Sequence, residues 1–337
     1  MKTRIFSTLI FFLVTVYAFS SAPESSLRIS LPDQNAFSLV REAFAKISDN
    51  YPCDNYLIDG FYRESIIRDG YAISINEAIL GIGKTSYNNY ISDKVEVKNA
   101  RSTTPLLTSG DSVILTLQAG PYSALMTDIV KKSLPGAGRN SELLNDKYMF
   151  WYGDPEYING TSFVTVIFDQ RYPGEELLCR GKIFIEPQSK AIGRIEFCMN
   201  VEKRADSYKL FIKKNPASMD IIFNTAKYIV NYRENMGKWF LSTSESEIDF
   251  TVNRINKSDR KKYSSSTDYS VKSQLAAASY TAGNFKADKR DILKENQQLS
   301  EFIGKSSKPA RWDILNVTLD RLFAQKSLSP KPDVHIN

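Results

Sequence analysis

The sequence predicts an α+β fold: a mainly antiparallel β meander forming an open barrel or strongly curved sheet, with an N-terminal helix, one mid-chain helix and C-terminal helices. Three observations predict it. From Asn55 to Asn256 apolar residues alternate with period two. Turn signals punctuate that stretch at Asp69-Gly70, Ser109-Gly110-Asp111, Asn159-Gly160, Gln188-Ser189-Lys190 and Asn235-Met236-Gly237. No helical crossover follows each strand, as parallel βαβ units would require. Roughly eight to twelve strands are expected, and such a sheet must cover or close its edges.

The chain opens with Met1-Lys2-Thr3-Arg4, an apolar run from Ile5 to Phe19 and then Ser20-Ser21-Ala22. This is the layout of a secretory signal, and its apolar run falls short of the roughly 18 residues that a membrane span needs. Residues 1–20 are therefore expected to be a signal peptide, cleaved before Ser21, leaving no transmembrane span. Residues 21–330 are expected to form a single envelope domain, exported to the periplasm or the periphery of the outer membrane. No cysteine lies at the junction, so the signal is not of the lipoprotein type.

Phe37, Val40, Phe44 and Ile47 recur at helical spacing, which predicts a helix over Asp33–Asp49 ending at Tyr51-Pro52. The hairpin Tyr56–Ile82 turns at Asp69-Gly70, and an uninterrupted two-residue loop places Tyr62 opposite Glu77 with Glu64 diagonal to it. Both carboxylates then point to an apolar face with Ile58, Ile66 and Ile79. Buried acids either pair with cations or rise in pKa and become acids, bases or ligand anchors. Arg233 is the favoured partner, with Arg194 and Arg101 as the other candidates.

Leu117-Gln118-Ala119-Gly120-Pro121 ends an alternating run of Val113, Leu115 and Leu117 and opens a helix expected over Tyr122–Lys132. Backbone amides at Gly120 are placed to bind an anion there, or to make a tight strand-to-helix connection. Gly83-Lys84-Thr85 is not a phosphate loop, because Ala78 stands where that motif needs its first glycine. Further on, Tyr148, Phe150 and Tyr152 alternate, and Tyr232 is expected to pair with Trp239 across a turn. Aromatic rings on one sheet face fill a core or line an apolar pocket. Two edge strands, Tyr263–Ser266 and Tyr269–Leu275, and two helices, Asp291–Ile303 and Asn316–Gln325, are expected to close the chain.

Three cysteines, Cys53, Cys179 and Cys198, allow at most one bridge. Cys179 and Cys198 lie on two strands of one hairpin, but a three-residue loop over Gln188–Lys190 aligns Ile183 with Ile195 and Lys182 with Glu196. Burial favours that register, which puts the two cysteines on opposite faces as free thiols.

The single histidine, His335, lies next to the C-terminus, which excludes His-dependent triads and His-rich metal sites. No metal, cofactor or catalytic residue is expected. The net charge is +6, and residues 201–337 carry most of the basic excess, concentrated between Arg254 and Lys262. In an exported protein that bias does not point to nucleic acid.

Several strings carry a family resemblance: Asp59-Gly60-Phe61-Tyr62-Arg63-Glu64, Asn76-Glu77-Ala78-Ile79-Leu80, Gln118-Ala119-Gly120-Pro121, Gly181-Lys182-Ile183-Phe184-Ile185 and Val230-Asn231-Tyr232-Arg233-Glu234-Asn235-Met236-Gly237-Lys238-Trp239. In this order the chain resembles the C-terminal region of the carboxypeptidase-like regulatory domain-containing proteins of Bacteroidetes. The resemblance implies an exported envelope protein and no peptidase activity. The strands of Tyr157–Gln170 and Arg180–Val201 are similar, more loosely, to those of periplasmic lipoprotein carriers, whose open barrel holds acyl chains.

Three functions follow as expectations. The first is a non-catalytic protein binding an apolar ligand, a lipid or a lipidated protein, with Tyr62, Glu64, Glu77, Gly120, Tyr232, Arg233 and Trp239 as candidate contacts. The second is a structural or accessory adaptor of an outer-membrane complex, docking through a sheet edge or the basic half. The third is a histidine-free hydrolase using Glu64 and Glu77 as a carboxylate pair.

Overall fold

Asp33 starts the first helix by accepting hydrogen bonds from the amides of Asn35 and Ala36 at 2.7 and 3.4 Å, leaving α1 to run over Gln34–Ala45. Ala36, Val40, Ala43 and Ile47 face the interior, and α2 (Ile47–Asn50) adds one further turn. Phe37 and Phe44 pack half-buried on the same core, Phe37 with its ring centroid 5.8 Å from that of Phe150. The computed structural model that shows this describes residues 32–103, 120–138, 140–172, 176–201, 218–256, 262–295 and 299–303, with Ser207, Phe211, Asp259, Gln297 and Trp312 as single positions. The signal peptide, the turn at Ser109-Gly110-Asp111, the run Val113–Leu117 and the helix Asn316–Gln325 lie outside the described residues.

Twelve strands follow: β1 (Tyr56–Arg68), β2 (Tyr71–Lys84), β3 (Lys94–Thr103), β4 (Tyr148–Tyr152), β5 (Glu156–Ile158), β6 (Thr161–Gln170), β7 (Cys179–Ile185), β8 (Ile192–Met199), β9 (Met219–Asn235), β10 (Lys238–Ile255), β11 (Tyr263–Ala282) and β12 (Ile292–Leu293). Three short helices interrupt them: α3 (Pro121–Met126), α4 (Ile129–Lys132) and α5 (Ser141–Lys147). Every described strand pair is antiparallel. The sheet runs β12-β3-β2-β1-β11-β10-β9-β8-β7-β6-β4, with β5 beside β6, and does not close: β12 and β4 are its two ends. The helices pack on one face, termed inner here, and the apolar core lies between.

Three hairpins turn where the sequence places them. Asp69-Gly70, Asn159-Gly160 and Met236-Gly237 each hold both central residues at positive φ, the mirror-image turn whose twist matches that of the flanking strands. The third loop has only two residues, however, and pairs Tyr232 with Leu241 and Trp239 with Glu234. The expected Tyr232–Trp239 pair therefore does not form. Trp239 packs edge-on against Phe163 instead, with centroids 6.2 Å apart.

A bulge corrects the first hairpin. Arg68 pairs with Tyr71 and Ile67 with Ala72, but Ile66 then pairs with Ser74, leaving Ile73 as an extra residue on β2. Beyond it every β2 side chain changes face relative to the uninterrupted register, so Glu77 lies opposite Arg63 and Glu64 opposite Asn76. Glu64 and Glu77 consequently point to opposite faces. The hairpin of β7 and β8 keeps the expected alignment, Ile183 with Ile195 and Lys182 with Glu196, and the thiols of Cys53, Cys179 and Cys198 are free.

Three further expectations are corrected. Tyr263–Ala282 is one strand of 20 residues in the middle of the sheet, between β1 and β10, rather than two edge strands. Ser270, Lys272 and Gln274 alternate with Tyr269, Val271, Ser273 and Leu275, so one face is polar while the other is buried. Within Asp291–Ile303, among the described residues, Ile292 and Leu293 pair with β3 and Leu299–Phe302 forms a short 3₁₀ turn, because Leu293, Leu299 and Phe302 bury against the sheet edge instead of repeating along a helix. The mid-chain helix breaks at Thr127-Asp128, where Asp128 caps a new helix by accepting from the Lys131 amide.

Candidate functional site

Segment 120–138 carries α3 and α4 across the inner face, and two buried polar centres fix it there. At its start Gly120 has φ +102°, a conformation open to glycine, and Pro121 pre-sets the first turn of α3. The Gly120 amide donates to Glu64 Oε2 at 3.0 Å. Tyr62, two residues from Glu64 on the same face of β1, donates its hydroxyl to the same oxygen at 2.9 Å. Asn76 Nδ2 approaches Glu64 Oε1 at 3.5 Å, with its own Oδ1 accepting from Ser102 Oγ at 2.8 Å. Burial pushes the Glu64 carboxyl above its ordinary range, although the three donors pull the other way. The Tyr62 phenol is pushed well up, by burial first and by Glu64 second. The amide at Gly120 is thus taken by a carboxyl group of the protein itself.

At the break between α3 and α4 lies the second centre. Lys84 Nζ, at the end of β2, stands 2.7 Å from both Asp93 Oδ2 and Asp128 Oδ2, and Lys131 Nζ stands 2.6 Å from Asp93 Oδ1. Tyr232 and Tyr87 donate to the two oxygens of Asp128 at 2.6 and 3.1 Å. Thr85 joins through its amide to Asp93 and through a hydroxyl bonded by Lys131. All four ionised side chains are essentially buried. Burial alone would discharge Lys84, but Asp128 and Asp93 overcome it and hold the ammonium well above the ordinary lysine range. Asp93 is lowered to about 2, because Lys84 and Lys131 outweigh its desolvation. Lys131 is lowered by burial and by the like charge of Lys84. Two cations and two anions of this kind form a satisfied, neutral cluster.

Between the segment so pinned and strands β8, β9 and β10 runs a half-open groove of about 590 Å³. Its apolar lining includes Met126, Ile129 and Leu134 from the helical side and Phe197, Tyr228 and Ile248 from the strands, together with Phe211. The volume falls in the roughly 300–1,000 Å³ range of small-molecule sites. Ser246 reaches the groove from β10, and its hydroxyl lies 2.6 Å from that of Ser273, which in turn lies against Tyr62. A chain of hydroxyls thereby links the groove floor to the Glu64 centre.

The structure brings together three of the seven candidate contacts, Tyr62, Glu64 and Gly120. Tyr232 belongs to the second centre. Glu77 sits on the outer face between Arg63 Nε at 2.9 Å and Arg101 Nε at 2.5 Å, so neither the carboxylate pair nor the Arg233 partnership exists. Arg233 is exposed beside Tyr280, and Arg194 pairs with Glu196. None of the seven lines the groove. The residues missed are Lys84, Asp93, Asp128 and Lys131. Lys84 has the inner-face parity of Ala78, Leu80 and Ile82, which was a signal for burial, and Thr127-Asp128 is a capping signal inside the expected helix.

No family profile matches the sequence, and no curated protein matches it. Solved structures that align with it include a domain assigned to outer-membrane lipoprotein sorting from Vibrio parahaemolyticus, with 9% identity over 76% of this chain and 95% of that one, at a TM-score of 0.30. A LolA superfamily protein from Nitrosomonas europaea aligns at 9% identity over 76% and 96% of the two chains, with a TM-score of 0.28. A DUF1329 family protein from Desulfovibrio piger aligns at 8% identity over 77% and 96%, with a TM-score of 0.29. Likenesses at that level leave function to the residues of this chain.

Proposed function

We propose that this chain is a non-catalytic binding protein that holds an apolar ligand in the groove between α3–α4 and strands β8–β10. The observation that carries the reading is the groove itself, half-open, about 590 Å³ and walled largely by apolar side chains. An interior built only for stability would close over such a space, since cores pack to near-crystalline density. The two buried polar centres serve this function indirectly, by holding the helical wall at a fixed distance from the sheet. The apolar-ligand reading agrees with the signal peptide expected over residues 1–20 and with the proposed location in the periplasm or at the outer-membrane periphery, where acyl chains are the abundant apolar ligands.

The test is binding of the neutral fluorophore N-phenyl-1-naphthylamine, followed by emission on titration. Met126 lines the groove yet is 60% exposed, so Met126→Arg alters the groove without disturbing the core. The expected result is saturable binding by the wild type and a loss of about tenfold or more in Met126→Arg at unchanged melting temperature. Absence of saturable binding by the wild type would sink the reading. Export is tested separately by N-terminal sequencing of protein from fractionated cells, with Ser21 as the expected first residue.

A further inference from the structure

We infer that the groove selects a single-chain amphiphile with an anionic head, carboxylate or phosphate, and that Lys132 is the residue that reads the head. This rests on the apolar-groove reading and deepens it. The two consecutive lysines of α4 have divided roles. Lys131 turns its ammonium inward, to Asp93 and Thr85, and is consumed by the buried cluster. Lys132 lines the groove and makes no ion pair among the described residues. The other charged residue among the described lining residues is Glu295, which stands beside Tyr122 at the start of α3, whereas Lys132 ends α4.

A half-buried lysine lays its methylene stem along apolar surface and keeps its ammonium at the water boundary. That is the geometry in which a chain enters between Met126, Ile129, Phe197 and Ile248 while its charged end stays at the rim. Ser123 Oγ and Ser133 Oγ already donate to the carbonyls of Gly120 and Gly138, and Ser246 Oγ is bonded to Ser273 Oγ, so among the described lining residues the Lys132 ammonium is the group that meets an anion. At about 30 Å³ for each water-sized group the groove holds a chain of roughly twenty heavy atoms, which fits one acyl chain rather than several.

Displacement of bound N-phenyl-1-naphthylamine by three ligands of one chain length tests the inference: hexadecanoate, hexadecyl phosphate and methyl hexadecanoate. In the wild type both anions are expected to displace the probe at about fivefold lower concentration than the ester, the ratio given by roughly 1 kcal/mol of ion pairing at a partly solvated site. Whichever anion is tighter identifies the head group. Lys132→Met keeps the stem and should bring the anion-to-ester ratio to about one. Lys190→Met, which removes the same charge from a turn outside the groove, should preserve it. Equal displacement by anion and ester in the wild type, a preference that survives Lys132→Met, or a preference lost equally in Lys190→Met would each overturn the role of Lys132. Failure of the wild type to bind the probe at all would instead overturn the groove reading beneath it.

Discussion

Gly120 and Glu64, 56 residues apart in the chain, meet at 3.0 Å, with a backbone amide at the start of a helix bound to a carboxylate buried in a strand. The contact is the point at which the helical wall of the groove is tied to the sheet.

Glu64 has a folded pKa raised above its unfolded value, mainly by burial. A group of that kind contributes stability that is full below the ordinary carboxylate range and is lost as pH rises through the folded value. The neutral amide of Glu64→Gln removes that dependence. Thermal melts from pH 4 to pH 8 should therefore show the wild type losing ground to Glu64→Gln as pH rises. Glu64→Ala, by contrast, strands the Gly120 amide and the Tyr62 hydroxyl at every pH and should cost about 2–3 kcal/mol. Parallel curves for wild type and Glu64→Gln would show that the carboxyl titrates as it does in the unfolded chain.

Asp128 receives Lys84 and two tyrosine hydroxyls with no exposed surface of its own. Removing one member of a buried pair leaves the other uncompensated, so Asp128→Ala should lose about 3–5 kcal/mol in denaturant unfolding. Asp93, held at about 2, gives the opposite pH signature to Glu64. Its stabilisation is present above the ordinary aspartate range and is lost as pH falls toward 2. Acid unfolding in that window should be shallower in Asp93→Asn than in the wild type, on top of a lower stability at neutral pH.

Glu77 lies on the outer face, its own side chain only 8% exposed, between two arginines whose side chains are 24% and 34% exposed. Water can solvate both guanidinium groups once the carboxylate is gone. Glu77→Ala should accordingly cost only about 1 kcal/mol, well below the loss expected for Asp128→Ala. A loss of 3 kcal/mol or more in urea titrations would mean that the outer face is dry.

Cys179 is buried beside Tyr148, and its thiol is pushed up to about 12 by burial above all. The thiolate is the reactive form, so a thiol reagent at neutral pH should modify exposed Cys53 quickly in the native protein and Cys179 only after unfolding. Peptide mapping after timed labelling distinguishes the sites. Rapid modification of Cys179 in the native state would place β7 in a different register.

Much of the strand architecture was legible because it is written locally. Asp69-Gly70 and Asn159-Gly160 name their turns, and the apolar parity of Ile183 and Ile195 selects one register for β7 and β8. The face of Glu77 was not legible. Ile73, Ser74 and Ile75 alternate equally well with or without a bulge, and only pairing with β1 reveals that Ile73 is the extra residue. The site suffered most from this. Lys84 and Asp128 are ordinary surface residue types whose burial is decided by partners from four distant segments, and no periodicity within any one segment records that meeting.

The bulge on β9 bears on how this chain can change length. Ile221 and Phe223 are buried at odd positions, Ala226, Val230 and Tyr232 at even ones, and Asn224 between them is skipped in the register with β10. Loss of a single residue from a strand ordinarily turns half of it inside out. Here removal of Asn224 would leave Phe223 and Ala226 separated by Thr225 alone, which restores plain alternation with both halves still facing inward. The surface contact from Asn224 to Thr251 would go, but no core side chain would change sides. A chain one residue shorter at this point is thus compatible with the same sheet.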